Sequence, residues 1–475
     1  MAVLSPKLFL FLTLCIVLLT ASINLNIARS QGTDQLEEIP NITNHDNLKI
    51  ETASKGEIFF PTSMAFLGPN DILVLEKNTG QVKRILNGTV IPEPLLDVNA
   101  ANKNERGLLG IAVSPKISIN NINNITKKDI DSKSSNTTYV FLYYTESKEK
   151  DGTDVTNGTE PYGNRIYRYD LVNDKLVNPK LILELPISPI AIHNGGKIKI
   201  GPDNNLYLVI GDIDSGSKTE NLKEGKDPDG SSGILRVTLD GKAVNPIFGE
   251  GRYLEKYFAY GIRNSFGIDF DPVTGNLWDT ENGPQFGDEI NLVEPGFNSG
   301  WRKVQGVWHY SDGAIGRKFY AMNALTNFSG KGKYSSPEFS WNNTIGVTDL
   351  TFLNSKKIGY NFENDIFVGD FGNGYLYNFD LNKNRTGFLL NGALKDKIAN
   401  SYDELGGVIF AKGFGGITDL EVGPDGYLYI LATYKGGSNC NPKFPDEFCV
   451  PYNSTNLGGI FRVVANDRDK TGPKM

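Results

Sequence analysis

The feature that most constrains this chain is a unit that returns six times: a short strand, a turn rich in Pro, Asn, Asp and Gly, then a strand of large apolar residues. It reads Met64–Leu75; Ile111–Pro115 followed, after a polar insert, by Tyr139–Tyr144; Ala191–Asp212; Gly267–Trp278; Leu350–Leu353 with Asn364–Asp370; and Leu420–Ile430. Several copies continue into a third strand ending in a basic or aromatic residue, as in Gln81–Leu86, Ile234–Leu239, Tyr375–Phe379 and Gly459–Val463. In the clearest copy, Lys197–Ile200 alternates polar and apolar residues and a Gly-Pro-Asp-Asn turn follows at 201–204. The next run, Leu206–Ile210, is too short for a helix. A lone hairpin is marginal in water, so each unit must bury its faces against neighbours. Closing such units in a ring leaves only short edges. The expected fold is therefore all-β, a six-bladed β-propeller over 56–466, with loops inserted chiefly at 116–137, 148–163, 215–231 and 302–341. A pair of β-sandwiches is the competing architecture and accounts less well for the repetition.

Composition agrees, with 52 Gly, 23 Pro and few stretches of helical spacing. A net charge of -7 without a basic stripe argues against nucleic acid as a partner. At the N-terminus Lys7 precedes the apolar run Leu8–Leu19, and Ala28-Arg29-Ser30 is a small-x-small cleavage pattern. These predict a signal peptide over 1–30 or, if uncleaved, an N-terminal membrane anchor, and hence a secreted or cell-surface protein. Residues 31–55 read as a polar tether or first edge strand, and 467–475 as a polar tail. Cys440 and Cys449 bracket a short loop and would pair in an oxidising compartment, or else remain two free thiols. Glycosylation sequons begin at Asn41, Asn87, Asn124, Asn136, Asn157, Asn327, Asn342, Asn384 and Asn453, compatible with a glycoprotein.

Three segments are polar or Gly-rich where a structural loop could be anything: 104–110, the surroundings of His193, and 260–267 with its continuation 280–291. His193 suits a general base, or is a histidine satisfied by local backbone. Arg263 beside Asn264 offers a charged fork and an amide for carboxylate or carbonyl oxygens, or a surface ion pair. Gly283-Pro284 with Asp288 and Glu289 supplies the oxygens that calcium takes, or carboxylates that are simply solvated. No Ser-His-Asp order, Cys-His pair, P-loop or zinc-type cluster is evident.

The segments ERGLLGIAVSP (105–115), HNGGKIKIGPDNNLYLVIGD (193–212), YGIRNSFGIDFDPVTGNLWDTENGPQFGDEINLVEPGFNSGW (260–301) and ITDLEVGPDGYLYIL (417–431) make the chain resemble the glucose/sorbosone dehydrogenase family. These are soluble quinoproteins using pyrroloquinoline quinone (PQQ), often called aldose sugar dehydrogenases. The similarity runs from about Phe59 to Val464. It implies a six-bladed propeller, PQQ and calcium as cofactors, and oxidation of an aldose at the anomeric carbon to the lactone. Electrons would pass to an external acceptor. By the same resemblance His193 is the catalytic base and Arg263 polarises the quinone oxygens. Glu105, Asn264 and Asn282 contact the cofactor, and the carbonyls of Gly283 and Pro284 hold calcium. Asp288 and Glu289 lie in a segment that supplies acidic groups for structural calcium in some members. Where relatives carry basic residues for the PQQ carboxylates, this chain has Gly372, Gly416 and Thr418, so Lys412 or another base would have to supply that charge. The alternative is a non-catalytic cell-surface propeller that binds a glycan or a protein.

Overall fold

The computed structural model describes residues 40–114, 138–149, 161–187, 190–213, 228–311, 314–316, 325–434 and 457–466. The expected signal, the Cys440–Cys449 loop, the sequons at Asn124, Asn136, Asn157 and Asn453, and the tail at 467–475 lie outside the described residues.

The fold is an all-β propeller. Six sheets of four or more strands follow one another in the chain, and a small three-stranded sheet is added within 304–316. Each large sheet begins with a strand that touches the first strand of the next. In order these are Pro61–Gly68, Leu108–Val113, Ile198–Ile200, Gly267–Phe270, Val347–Phe352 and Gly416–Val422. The last packs back on the first, so the six close a ring. From each, the chain steps outward through antiparallel neighbours, as in Gly267–Phe270, Leu277–Glu281, Asp288–Val293 and Phe339–Trp341.

The packing explains why the strands are apolar on both faces. Successive side chains of a strand point to opposite sides of the sheet. Leu428 and Ile430 therefore enter the core shared with the preceding sheet, whereas Tyr429 and Leu431 enter the core shared with the first sheet. Likewise Leu206, Leu208 and Ile210 pack backwards on Phe141 and Tyr143, while Tyr207 and Val209 pack forwards on Ile268 and Leu277. A sheet sandwiched between two others has no solvent face, and its strands read as continuous apolar runs.

The final large sheet takes strands from both ends of the described chain. Leu48–Thr52 is its outer strand, paired with Phe461–Ala465. The sheets thus reach back before residue 56, into the stretch read as tether or edge strand, and Asn41–Ile42 pairs with the strand Ile409–Lys412. The inserted region 302–341 is not purely loop, since Val304–Gln305, Trp308–Ser311 and Ala314–Gly316 pair into the extra sheet.

Candidate active site

The inner strands open onto one cavity. Its wall takes a residue from, or just beside, a strand of every large sheet: Thr62, Leu109, Lys197, Asn282, Thr348 and Asp419. Phe60, Phe266 and Phe371 supply aromatic faces to the same wall.

Lys197 is 5% exposed and sits in an ion network across this wall. Its Nζ donates to Asp349 Oδ2 at 2.7 Å and to Asp419 Oδ1. The other Asp419 oxygen accepts from Met64 N at 2.7 Å, and Asp349 Oδ2 accepts from Leu420 N at 2.9 Å. Burial alone would pull the lysine pKa down; Asp349 and Asp419 outweigh it and hold the ammonium well above the usual lysine value.

His193 lies just before its sheet with φ at 58°, a region that non-glycine residues seldom occupy, and is 5% exposed. Nδ1 meets Asp212 Oδ1 at 2.5 Å, and Asp212 Oδ2 accepts from the Trp301 indole at 2.6 Å. The backbone N–H of His193 donates to Glu105 Oε2 at 2.6 Å, and Asn264 Nδ2 reaches the same oxygen at 3.2 Å. Glu105 also lines the cavity. It therefore joins the histidine segment to the arginine segment, while Asp212 fixes the tautomer and orientation of the ring.

Arg263 enters from the other side. Its backbone N–H donates to Glu281 Oε1 at 2.6 Å, NH1 donates to the Asn282 carbonyl at 2.9 Å, and the guanidinium lies 5.3 Å from the Trp301 ring centre. Among the described residues it has no carboxylate within ion-pair distance, so it is not the surface ion pair of the bland reading. Asp212 N bonds to Arg263 O at 2.8 Å. Gly211 makes this approach possible, because a Cβ there would stand 2.5 Å from Arg263 O and 2.6 Å from His193 O. Asn282 holds Val347 O at 2.7 Å through its side chain and Asn264 O at 2.7 Å through its N–H.

Asp288 and Glu289 are fully buried rather than solvated. The two Asp288 oxygens are occupied by backbone: Gly283 N at 2.8 Å on one, Ile345 N and Gly346 N at 2.8 Å and Val347 N at 3.3 Å on the other. The geometry makes Asp288 the clamp of the 283–287 turn, with three amide contacts on one oxygen and one on the other. Among the described residues no hydrogen bond uses the Gly283 or Pro284 carbonyls. Glu289 stands opposite Glu281 across paired strands, and Ser299 Oγ lies 2.6 Å from Glu281 and 3.1 Å from Glu289. Burial pushes the Glu281 carboxyl up to about 7, against the contacts with Ser299 and Arg263, and pushes Glu289 and neighbouring Asp279 well above the usual range. Glu289 Oε2 has no partner, and among the described residues no three His, Cys, Asp or Glu side chains form a metal cluster.

Sequence reading missed three contributors. Asp212 follows its histidine by nineteen positions at the far end of a strand, and Trp301 closes the third family segment, so both lay inside quoted motifs without a visible partner. Lys77 had no motif; its signal was a lone cation at the end of the strand Asp71–Glu76. Lys412 does not supply the missing charge to the cavity: it is exposed, at the end of Ile409–Lys412, over the ring of Tyr375.

A family model described as Glucose / Sorbosone dehydrogenase matches residues 59–440. The aldose sugar dehydrogenase of Escherichia coli K12 is 25% identical over 79% of this chain and 88% of its own length. Quinoprotein glucose dehydrogenase B of Acinetobacter calcoaceticus is 30% identical over 64% of each chain. Among solved structures, the PQQ-bound aldose sugar dehydrogenase of Streptomyces coelicolor superposes with a TM-score of 0.57 at 20% identity, covering 89% of this chain and 99% of that one. Fold, cavity and sequence converge: the chain belongs to the glucose/sorbosone dehydrogenase family.

Proposed function

We propose that this protein is a PQQ- and calcium-dependent dehydrogenase that oxidises an aldose at its anomeric carbon to the lactone and passes the electrons to an external acceptor. The six large sheets are read as six blades. The observation that carries the proposal is the continuous contact chain His193–Asp212–Trp301–Arg263, joined through Glu105 and Asn282 to the wall of an aromatic cavity.

The residues fit the cofactors. A planar, acidic quinone suits a cavity walled by Phe60, Phe266, Phe371 and Asn282, with Arg263 bonded to Asn282 and Asn264 to Glu105 behind the wall. The Gly283 and Pro284 carbonyls would hold calcium, with the buried carboxyls of Asp288 and Glu289 in the same segment. When bound, PQQ would supply the electron sink for the sugar's hydride and calcium would supply Lewis-acid polarisation. His193 Nε2 takes the proton of the anomeric hydroxyl as that hydride leaves. The Asp212 carboxylate steadies the imidazolium so formed. Arg263, held in place by Asn282 and Trp301, balances the negative charge growing opposite it. A module that only bound a glycan would have no use for a buried imidazole–carboxylate pair, so the catalytic reading is preferred.

The test is titration of the pure protein with PQQ, with and without calcium, followed by dye-coupled oxidation of a sugar panel. Binding retained and turnover lost in His193→Ala are expected; absence of both binding and turnover in the wild type overturns the reading. We further propose export, supported by the apolar N-terminal run and by exposed sequon residues Asn41, Asn87, Asn327 and Asn384. Cell fractionation with a glycosidase mobility shift tests it.

A further inference from the structure

Lys77 ends the strand Asp71–Glu76 of the first large sheet and is 2% exposed. It lines the same cavity as Glu105, Asn282 and Thr418. Its Nζ donates to Asn78 Oδ1 at 3.0 Å and to the Asn102 carbonyl at 3.2 Å, and lies 5.3 Å from the centre of the Phe60 ring. An ammonium has three N–H groups, and among the described residues the third has no acceptor. Nor does any described carboxylate lie within ion-pair distance of Lys77; Glu105 acts on it only from farther away, and its Oε2 already serves His193 and Asn264. The other lysine of the cavity, Lys197, is by contrast neutralised by Asp349 and Asp419.

A buried cation without a counter-charge is costly. It is retained where something else brings the charge, and here the group that enters the cavity does so. We propose that Lys77 is the cation that grips a carboxylate of the quinone cofactor in this chain, taking over the work of the basic residues absent at Gly372, Gly416 and Thr418. Phe60 and Asn102 hold its ammonium in place, with the aromatic wall alongside. The inference rests on the PQQ reading above and adds to it the residue that recognises the cofactor's acid group.

Desolvation pushes the Lys77 pKa down to about 7, against the pull of Glu105. An anion seated on it raises that value, so binding takes up a proton above neutrality and affinity falls as pH rises past about 7. The other charged groups on this wall are Glu105, Lys197 and Asp419, with His193 and Arg263 beyond Glu105, and they are common to every variant compared.

The experiment is PQQ binding to calcium-loaded protein without sugar, followed by quenching of tryptophan fluorescence from pH 6 to 9, for wild type, Lys77→Met and Lys77→Arg. The expected result is a loss of tenfold or more in Lys77→Met, the scale of one charge-assisted hydrogen bond. Lys77→Arg should bind within a few-fold of wild type and show a flatter pH profile, since guanidinium stays charged throughout. Removing an uncompensated charge should leave the melting temperature of cofactor-free Lys77→Met no lower than wild type. If that variant does not fold, the pH profile of Lys77→Arg decides the matter: an unchanged slope overturns the proposal. Equal affinity of Lys77→Met and wild type also overturns it while leaving PQQ as the cofactor. A wild type that binds no PQQ at any pH removes the PQQ reading itself, and this inference with it.

Discussion

Lys197→Met removes the cation at the middle of the axial network and keeps the aliphatic volume. Asp349 is fully buried and Asp419 is 1% exposed, so both carboxylates are stranded where water cannot reach them. Breaking a buried ion pair from one side costs about 3–5 kcal/mol. With about 2 cal/mol/K of unfolding entropy per residue, a propeller of this size loses roughly 1 °C for each kcal/mol, so melting should fall by about 3–5 °C at pH 7. The sign with pH follows from which state holds the protons. In the wild type the Lys197 pKa is raised by folding, so its contribution is complete below the ordinary lysine value and fades only as pH climbs through the raised one. In the variant Asp349, whose carboxyl burial pushes well above the usual range, must be neutral to stay buried. That cost therefore grows as pH rises from about 4 towards 7 and is small near pH 4, where the unfolded chain is partly protonated too. Calorimetric scans of both proteins at pH 4, 5.5 and 7 measure this. A melting difference that is small, or that stays constant across the three values, would refute the assignment of Lys197 as the charge on which both acids depend.

Other perturbations bear on the site. Asp212→Asn keeps the hydrogen bond to Trp301 within reach but withdraws the charge that supports the imidazolium; turnover should drop by about 10–100-fold with little change in PQQ affinity, read by steady-state kinetics. Asp288→Asn breaks at least one of the amide contacts that shape the 283–287 turn, and should weaken calcium retention and lower melting by a few degrees, measured by calcium-dependent melting. Asp365 is 8% exposed, with one oxygen unpartnered, and desolvation together with Asp380 pushes its carboxyl up to about 7. Its favourable share of stability is complete below the unfolded value near 3.8 and is lost as pH rises through about 7, so Asp365→Asn should raise melting at pH 8 and leave it unchanged at pH 4.

Much of the fold was legible because the repeat is local. Leu206–Ile210 and Leu428–Ile430 carry strand character in five residues or fewer, and six such units invite a ring. What could not be read was anything set by pairing at long range. The match of Leu48–Thr52 with Phe461–Ala465 joins segments over four hundred positions apart, so the sequence around Leu48 could be read only as a tether or an edge strand, without its partner. The site divides in the same way. His193, Arg263 and Asn264 stood out through residue type and neighbours. Asp212 and Lys77 are ordinary residues at strand ends, and they gain meaning only when sheet geometry turns those ends towards one opening. Asp288 shows a second kind of hidden role: a carboxylate beside Gly-Pro suggested a metal ligand, and only the fold shows that four amide N–H groups also make it the clamp of its turn.

The sheet built from both chain ends also governs when the molecule can exist. A polypeptide leaving the ribosome can stack the earlier sheets as they emerge, yet the flanks of the first and the fifth remain greasy and uncovered until Gly416–Val422 and Leu428–Thr433 arrive, and that last sheet is complete only when Leu457–Ala465 receives Leu48–Thr52. Throughout that interval the nascent protein is an open arc, prone to stick to its own kind and unable to form a complete pocket. Loading of any cofactor must then come after synthesis of Gly416–Val422, which supplies Thr418 and Asp419 to the cavity, and clipping the few residues before Ile58, which pair with the last strand, should injure solubility long before it touches chemistry.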